Sequence, residues 1–328
     1  MQESESLYVM QWPNRAEPLI RKGQTRPMNW AAMLQEKEAL FVSSFGSREL
    51  QALCSAPADE EPWDYLERKR AELAWEPLEC ADFALFSKQV EWVKKGISRG
   101  DFEKLVLARC AAAHSSSDLT LNQCWRAMRE RHSQAMSFAY YQPDLGLWMG
   151  STPEHLLQWE SGEGRILAMA GTLKAGETWS SKEQLEQSVT GRFIEETLNR
   201  LGLGFQVDAL QETQYGDLRH LRCEYRFNIS LSRLPELLEW LNPTPAVAGY
   251  PQVEAMKALG NSISFDRGAY AGVLGAWKDQ SLQAWVQLRC ARLSQHGTWL
   301  YAGAGVNSGS DARKEWDETY SKMESLGL

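Results

Sequence analysis

The stretch from Phe138 to Met149 limits the fold more than any other. Two short apolar runs, Phe138–Tyr141 and Leu145–Met149, flank a Pro143–Asp144 turn. A reversal over so few residues joins two strands as a hairpin, so they run antiparallel. Further strand-like stretches are Leu105–Arg109, Arg165–Gly171, Tyr270–Trp277, Ala284–Leu293 and Trp299–Ala304. Helical patterns fall between these groups. Phe86, Val90, Val93 and Ile97 recur at helical spacing, and Gly100 can cap that helix. Other helices are expected around Thr120–His132, from Ser181 to Leu201 with Gly202 as its stop, at Pro235–Leu241 and Gln252–Leu259, and from Asp311 to Leu326. Hairpin-like strand groups with helices between them favour an α+β fold of mainly antiparallel sheets over a doubly wound α/β fold.

A chain of 328 residues allows two domains or one large one, and 43% hydrophobic residues can bury a full core. The most linker-like piece is Ala56–Trp63, yet the residues before it are too few for a confident core of their own. The 14 tryptophans read as large core and groove residues. A net charge of −8 argues against a nucleic-acid or anionic-membrane partner. No apolar run approaches the roughly 18 residues of a membrane span, and MQESESLYVM lacks the basic and apolar regions of a secretory leader. The six cysteines never form C-x-x-C, so buried free thiols in a reducing cytoplasm are expected.

Several residues can carry chemistry, each with a plainer alternative. The glycine-rich Ala302–Ser310 runs from a strand into the last helix, where it can approach an anion or serve only as a turn with Ser310 or Asp311 as N-cap. Glu315, Glu318 and Lys322 share one face of that helix, either as a solvated stripe or as carboxylates for a hard cation such as Mg²⁺, with Glu186 as a partner from the long middle helix. Lys104 opens a buried strand, so it is a snorkelling lysine or a desolvated general base. Glu154, after a strand and a proline, is a general acid or a helix-first-turn acid. Arg289 is a charge inside an apolar strand, as is usual for a paired or carboxylate-binding arginine.

In order along the chain, these segments look like a known set. They are KLVLAR (Lys104–Arg109), GSTPEHLL (Gly150–Leu157), AMAGT (Ala168–Thr172) and K-x-x-x-E-Q (Lys182–Gln187). The series continues with His220–Leu221, NPTPAVAG (Asn242–Gly249), FDRGAYAGVLG (Phe265–Gly275), LRCA (Leu288–Ala291) and Tyr301–Lys322. The chain resembles the chorismate-utilising enzymes: isochorismate synthase, salicylate synthase, anthranilate synthase component I and aminodeoxychorismate synthase component I. The likeness spans roughly residues 85 to 328, and residues 1–85 match only vaguely.

The resemblance implies one large α+β domain over 1–328, with 86–328 as the catalytic core and the active site in a cleft. It implies Mg²⁺ held by Glu186 and Glu318, with Glu315 adjacent. Substrate carboxylates would meet Arg289, the backbone around Gly303 and Gly305, and Lys322, while Gly171 and Thr172 line the pocket. The position of Lys104 is lysine in the water-using members and typically glutamine in the amine-using ones. Aminodeoxychorismate synthases carry a nucleophilic lysine where this chain has Ala170. Lys104 with Ala170 therefore implies water addition to chorismate, with Lys104 as base and Glu154 as acid, giving isochorismate. Menaquinone synthesis is favoured over a siderophore route by the short N-terminal part. A monomer acting on a small molecule, in the cytoplasm, is the expectation. A salicylate synthase and a non-catalytic chorismate binder are the rivals. The binder is motivated by Asn242 and Gln187, where the family usually has His.

Overall fold

The computed structural model describes every residue except 1–4, 14, 55–57, 59, 75–77, 114–118, 175, 177, 180, 216–217, 263–265 and 328. The chain opens with β1 (Ser6–Gln11), β2 (Leu19–Gly23), β3 (Thr25–Met28), the one-turn α1 (Trp30–Met33), β4 (Glu38–Val42) and β5 (Leu50–Leu53). Helices α2 (Pro62–Glu72) and α3 (Phe83–Arg99) lead to β6 (Lys104–Ala113) and α4 (Leu121–Arg131). Strands β7 (Met136–Gln142), β8 (Gly146–Thr152), β9 (His155–Glu160) and β10 (Glu163–Lys174) precede the long α5 (Ser181–Arg200). Then come β11 (Phe205–Val207), β12 (Gln211–Tyr215), β13 (Leu218–Asn228), α6 (Leu234–Leu241), β14 (Gly249–Tyr250) and α7 (Gln252–Ser262). Strands β15 (Val273–Lys278), β16 (Ser281–Val286), β17 (Cys290–Ser294) and β18 (Gly297–Val306) complete the sheets, and α8 (Ala312–Glu324) follows.

The first sheet orders its eight strands β14-β6-β18-β17-β8-β7-β1-β2. The second runs β11-β13-β10-β9-β16-β15-β4-β5-β3, with β12 beside β13. Every strand pairing among the described residues is antiparallel, as the α+β expectation holds. Inner strands of the first sheet, such as β1, β7 and β8, are buried on both faces. In β1, Tyr8 and Met10 join the main core, whereas Leu7 and Val9 pack with Tyr65 and Leu66 of α2 and Trp125 and Met128 of α4. At the other end, Leu105 and Leu107 of β6 pack with Phe86, Val90 and Val93 of α3. The period-2 alternation of a strand thus feeds two cores at once. Trp148 and Trp285 are among the largest fully buried side chains, in line with the core reading of the tryptophans.

The hairpin at Pro143–Asp144 forms, as β7 pairs with β8 from Met136↔Thr152 to Gln142↔Gly146. Gly100 caps α3 in the left-handed conformation at φ 81°, with its N–H on the helix's last carbonyls. Two strand assignments need correction. Ala284–Leu293 is not one strand but β16 and β17, which lie in different sheets with 287–289 crossing between them. Residues 5–53, left unassigned by the patterns, supply five strands to both sheets. The linker-like Ala56–Trp63 lies partly outside the described residues, and α2 begins within it at Pro62.

The cysteine expectation also needs correction, since Cys80 and Cys110 form a disulfide with their Cα atoms 5.4 Å apart. Thirty residues separate them, so no short spacing announced the pair; α3 folds back on β6 and brings the segment before it to that strand. Cys54, Cys124, Cys223 and Cys290 are free thiols, as expected. No helix among the described residues is long and apolar enough to cross a membrane.

Candidate active site

The site is built where the chain passes between the two sheets. Pro153 and Glu154 link β8 of the first sheet to β9 of the second, and 287–289 return the chain from β16 to β17. These crossovers are tied together: the Val286 N–H donates to the Glu154 carbonyl (3.0 Å) and the Ser151 N–H to the Arg289 carbonyl (3.0 Å). Glu154 and Arg289 therefore reach one cleft from neighbouring passages. The helix-first-turn alternative for Glu154 falls away, since it starts no helix, and the strand placement of Arg289 needs correction, since it lies between β16 and β17. Arg289 has φ +43°, a left-handed conformation rare for a non-glycine residue.

The cleft offers a cavity volume of about 100 Å³ and opens to solvent at its mouth. Lys104, Glu154, Gly171, Glu186, Arg289, Gly303, Gly305, Glu318 and Lys322 line it. The sequence thus named most of its polar wall. Thr172 pairs through its backbone with His220 at the β10–β13 ladder, and its side chain lies outside the described residues. Glu315 is also absent from it, being 1% exposed in the first turn of α8. His220, Tyr270, Tyr301, Met169, Ala246 and Leu288 line the cleft without having been assigned a role. The His220–Leu221 dipeptide carried a signal, but no local pattern shows that β13 faces the cleft.

Lys104, 4% exposed, is the first residue of β6 and pairs with Tyr250. The opposing β18 supplies glycine at the closest approach. A Cβ on Gly305 would lie 2.5 Å from Lys104 Cε and 3.1 Å from Glu186 Oε1, so only glycine leaves room for both side chains. Lys322 Nζ donates to the Gly303 carbonyl (2.9 Å) and pairs with Glu318 Oε1 (2.7 Å), one turn away on α8. Glu154 is 8% exposed, and burial pushes its carboxyl up from 4.5 to about 7 despite Lys104, Thr244, Lys322 and Arg289. Thr244 Oγ1 donates to Glu154 Oε1 at 3.4 Å. His220 bridges the Gly171 carbonyl (Nδ1, 3.1 Å) and Arg289 Nη2 (Nε2, 3.2 Å). Burial and the Arg289 guanidinium hold its pKa down at about 3.

Gln187 and Asn242 sit beside the cleft wall rather than on it. Gln187 Nε2 donates to the Ala168 carbonyl (3.2 Å), and Asn242 caps α6 with its N–H on the Leu238 carbonyl. Among the described residues, no group of three or more His, Cys, Asp or Glu side chains gathers for a metal. Glu186 and Glu318 do bring two carboxylates to one cleft. Hard oxygen donors of this number suit a divalent cation that completes its shell from substrate and water.

Comparison with known proteins agrees with this geometry. Isochorismate synthase MenF of Escherichia coli is 30% identical over 257 residues, covering 74% of this chain and 59% of that protein. MenF of Haemophilus influenzae is 27% identical over 252 residues, covering 72% and 59%. The chain therefore spans less than two thirds of the length of these curated relatives. Among solved structures, that of E. coli MenF matches with a TM-score of 0.80 at 21% identity, over 98% of this chain and 89% of that one. Anthranilate synthase component I from Streptococcus pneumoniae matches with a TM-score of 0.71 at 16% identity, over 100% and 93%. These likenesses establish the shared fold. The model of the family described as chorismate binding enzyme matches residues 48–327, and the chain belongs to that family.

Proposed function

We propose that the protein is an isochorismate synthase. The observation that carries this reading is that a buried carboxyl, raised by burial to about 7, and a buried lysine open into one cleft beside Arg289 and Lys322. Burial raises the Glu154 carboxyl to about 7, so a large share of it keeps its proton near neutral pH, as a general acid needs. Arg289 and Lys322 bind the two carboxylates of chorismate. Lys104 takes a proton from water as the water oxygen bonds to ring C2. The ring double bonds shift, the C4–O bond breaks, and Glu154 protonates the departing hydroxyl. One proton is taken up and one is given, and water balances across the reaction.

Glu186 and Glu318 are the residues we assign to Mg²⁺, which when bound neutralises a substrate carboxylate and lowers the energy of charge developing on the ring. Ala170 lines the cleft and offers no nucleophile that would compete with water. Menaquinone synthesis is the route we favour, supported by the likeness to E. coli MenF, whose solved structure is described as that of a menaquinone-specific isochorismate synthase. The test is product analysis after incubation with chorismate and Mg²⁺. Isochorismate as main product is expected; salicylate with pyruvate, or bound but unconverted chorismate, refutes the reading.

A further inference from the structure

His220 has no part in the proton transfers above, yet it is 6% exposed and lines the cleft. It lies on β13 opposite Thr172, where the β10–β13 register shifts between Ala170 and Thr172. Gly171, at φ +73°, occupies that irregularity, and its carbonyl meets Nδ1 of the His220 ring at 3.1 Å. A carbonyl only accepts and a guanidinium only donates. The two contacts therefore fix the ring: Nδ1 carries the hydrogen and Nε2 presents its lone pair to Arg289 Nη2 at 3.2 Å.

We propose that His220, as the neutral Nδ1–H tautomer, is a positioning residue that aims the Arg289 guanidinium at a substrate carboxylate and itself transfers no proton in the reaction. An arginine must have its planar fork oriented before a carboxylate can use two of its donors. Arg289 leaves the backbone from a left-handed turn between two sheets, with its long side chain to be ordered. The ring is clamped from behind by backbone, so it transmits the rigidity of β10 to the guanidinium. Protonation would set two cations 3.2 Å apart, next to Lys322. The pKa near 3 agrees with this geometry.

This role rests on the synthase reading only for the identity of the anion. The decisive measurement is ¹⁵N NMR of the histidine rings in the unmodified protein from pH 5 to 9. The expected result is a neutral Nδ1–H ring throughout; an Nε2–H tautomer, or titration near 6.5, overturns the proposal. In a second arm, chorismate binding and turnover are measured for His220→Phe and His220→Gln. The Phe variant raises Kd and KM about tenfold or more, with kcat changed far less, as loss of a hydrogen bond to a charged group predicts. The Gln variant recovers most of the affinity, because its Oε1 can accept from Arg289. Loss of kcat by a hundredfold in both variants at unchanged KM would make His220 a proton carrier and sink the idea. Absence of wild-type turnover would refute the synthase reading alone, since the NMR and binding arms still judge His220.

Discussion

Glu154 should make the protein less stable as pH rises, and Glu154→Gln should remove that weakness while removing activity. The carboxyl is buried, with its pKa raised from 4.5 to about 7 by desolvation. The folded state thus holds a proton that the unfolded chain releases near 4.5. Stability linked to this group is fully present below the unfolded value and is lost as pH rises through the folded one. A shift of about 2.5 units corresponds to about 3 kcal/mol once pH exceeds 8, against less than about 1 kcal/mol at pH 5. With an unfolding entropy of about 2.1 cal/mol/K per residue, a chain of this size shifts its Tm by roughly 1.5 °C per kcal/mol. Gln is nearly isosteric and can still accept from Thr244. The variant is therefore expected to melt about 4 °C above the wild type at pH 9 and within about 1 °C of it at pH 5. Differential scanning calorimetry across this range measures the gap. A gap that stays constant with pH would show that Glu154 is ionised in the folded state at neutrality and would remove its candidacy as general acid.

Three further outcomes can be checked independently. Gly305→Ala places a methyl 2.5 Å from Lys104 Cε, so kcat/KM for chorismate should fall at least tenfold while the circular dichroism spectrum is kept; a fully active variant would deny Lys104 its place in the chemistry. Glu318→Ala should weaken Mg²⁺ binding by calorimetry about tenfold or more, and an unchanged isotherm would remove it from the metal site. Cys80→Ser should lower stability in oxidising buffer by about 3 kcal/mol through loss of a loop closure spanning 30 residues, and equal denaturation midpoints with and without reductant in the wild type would contradict the disulfide.

Much of the chemistry was legible because its residues carry local signals. A lysine at a strand entry, a glycine pair at a strand end and Glu318 with Lys322 on one helix face all reach the cleft. Less of the geometry was legible. Strands buried on both faces, such as β1, show a continuous apolar run with no alternation to read. The long β13 is the reverse case: its polar residues LRHLRCEYRFN give no strand pattern, yet it pairs with β10 along its whole length. Glu154 and Arg289 looked like members of regular elements because crossovers between sheets have no sequence period. Glu315 was grouped with Glu318 by helical spacing and by the resemblance, and three residues rotate a side chain about 60° short of a full turn, so Glu315 lies beside the cleft lining rather than on it.

The same burial that makes Glu154 an acid also sets the charge of the cleft. The chain carries a net charge of −8, which as a global quantity disfavours an anionic ligand. On the cleft wall, however, Lys104, Arg289 and Lys322 face Glu186 and Glu318, with His220 neutral. Ionisation of Glu154 makes the described lining one charge more negative than it is with Glu154 protonated. A dianion should therefore bind best while the acid keeps its proton. Catalytic competence and affinity are then lost together as pH rises through about 7. Chorismate affinity measured by calorimetry from pH 6 to 8.5 should weaken across that interval in the wild type and stay level in Glu154→Gln. A wild-type affinity that is flat with pH would separate the two functions of this carboxyl and leave the cations alone responsible for holding the anion.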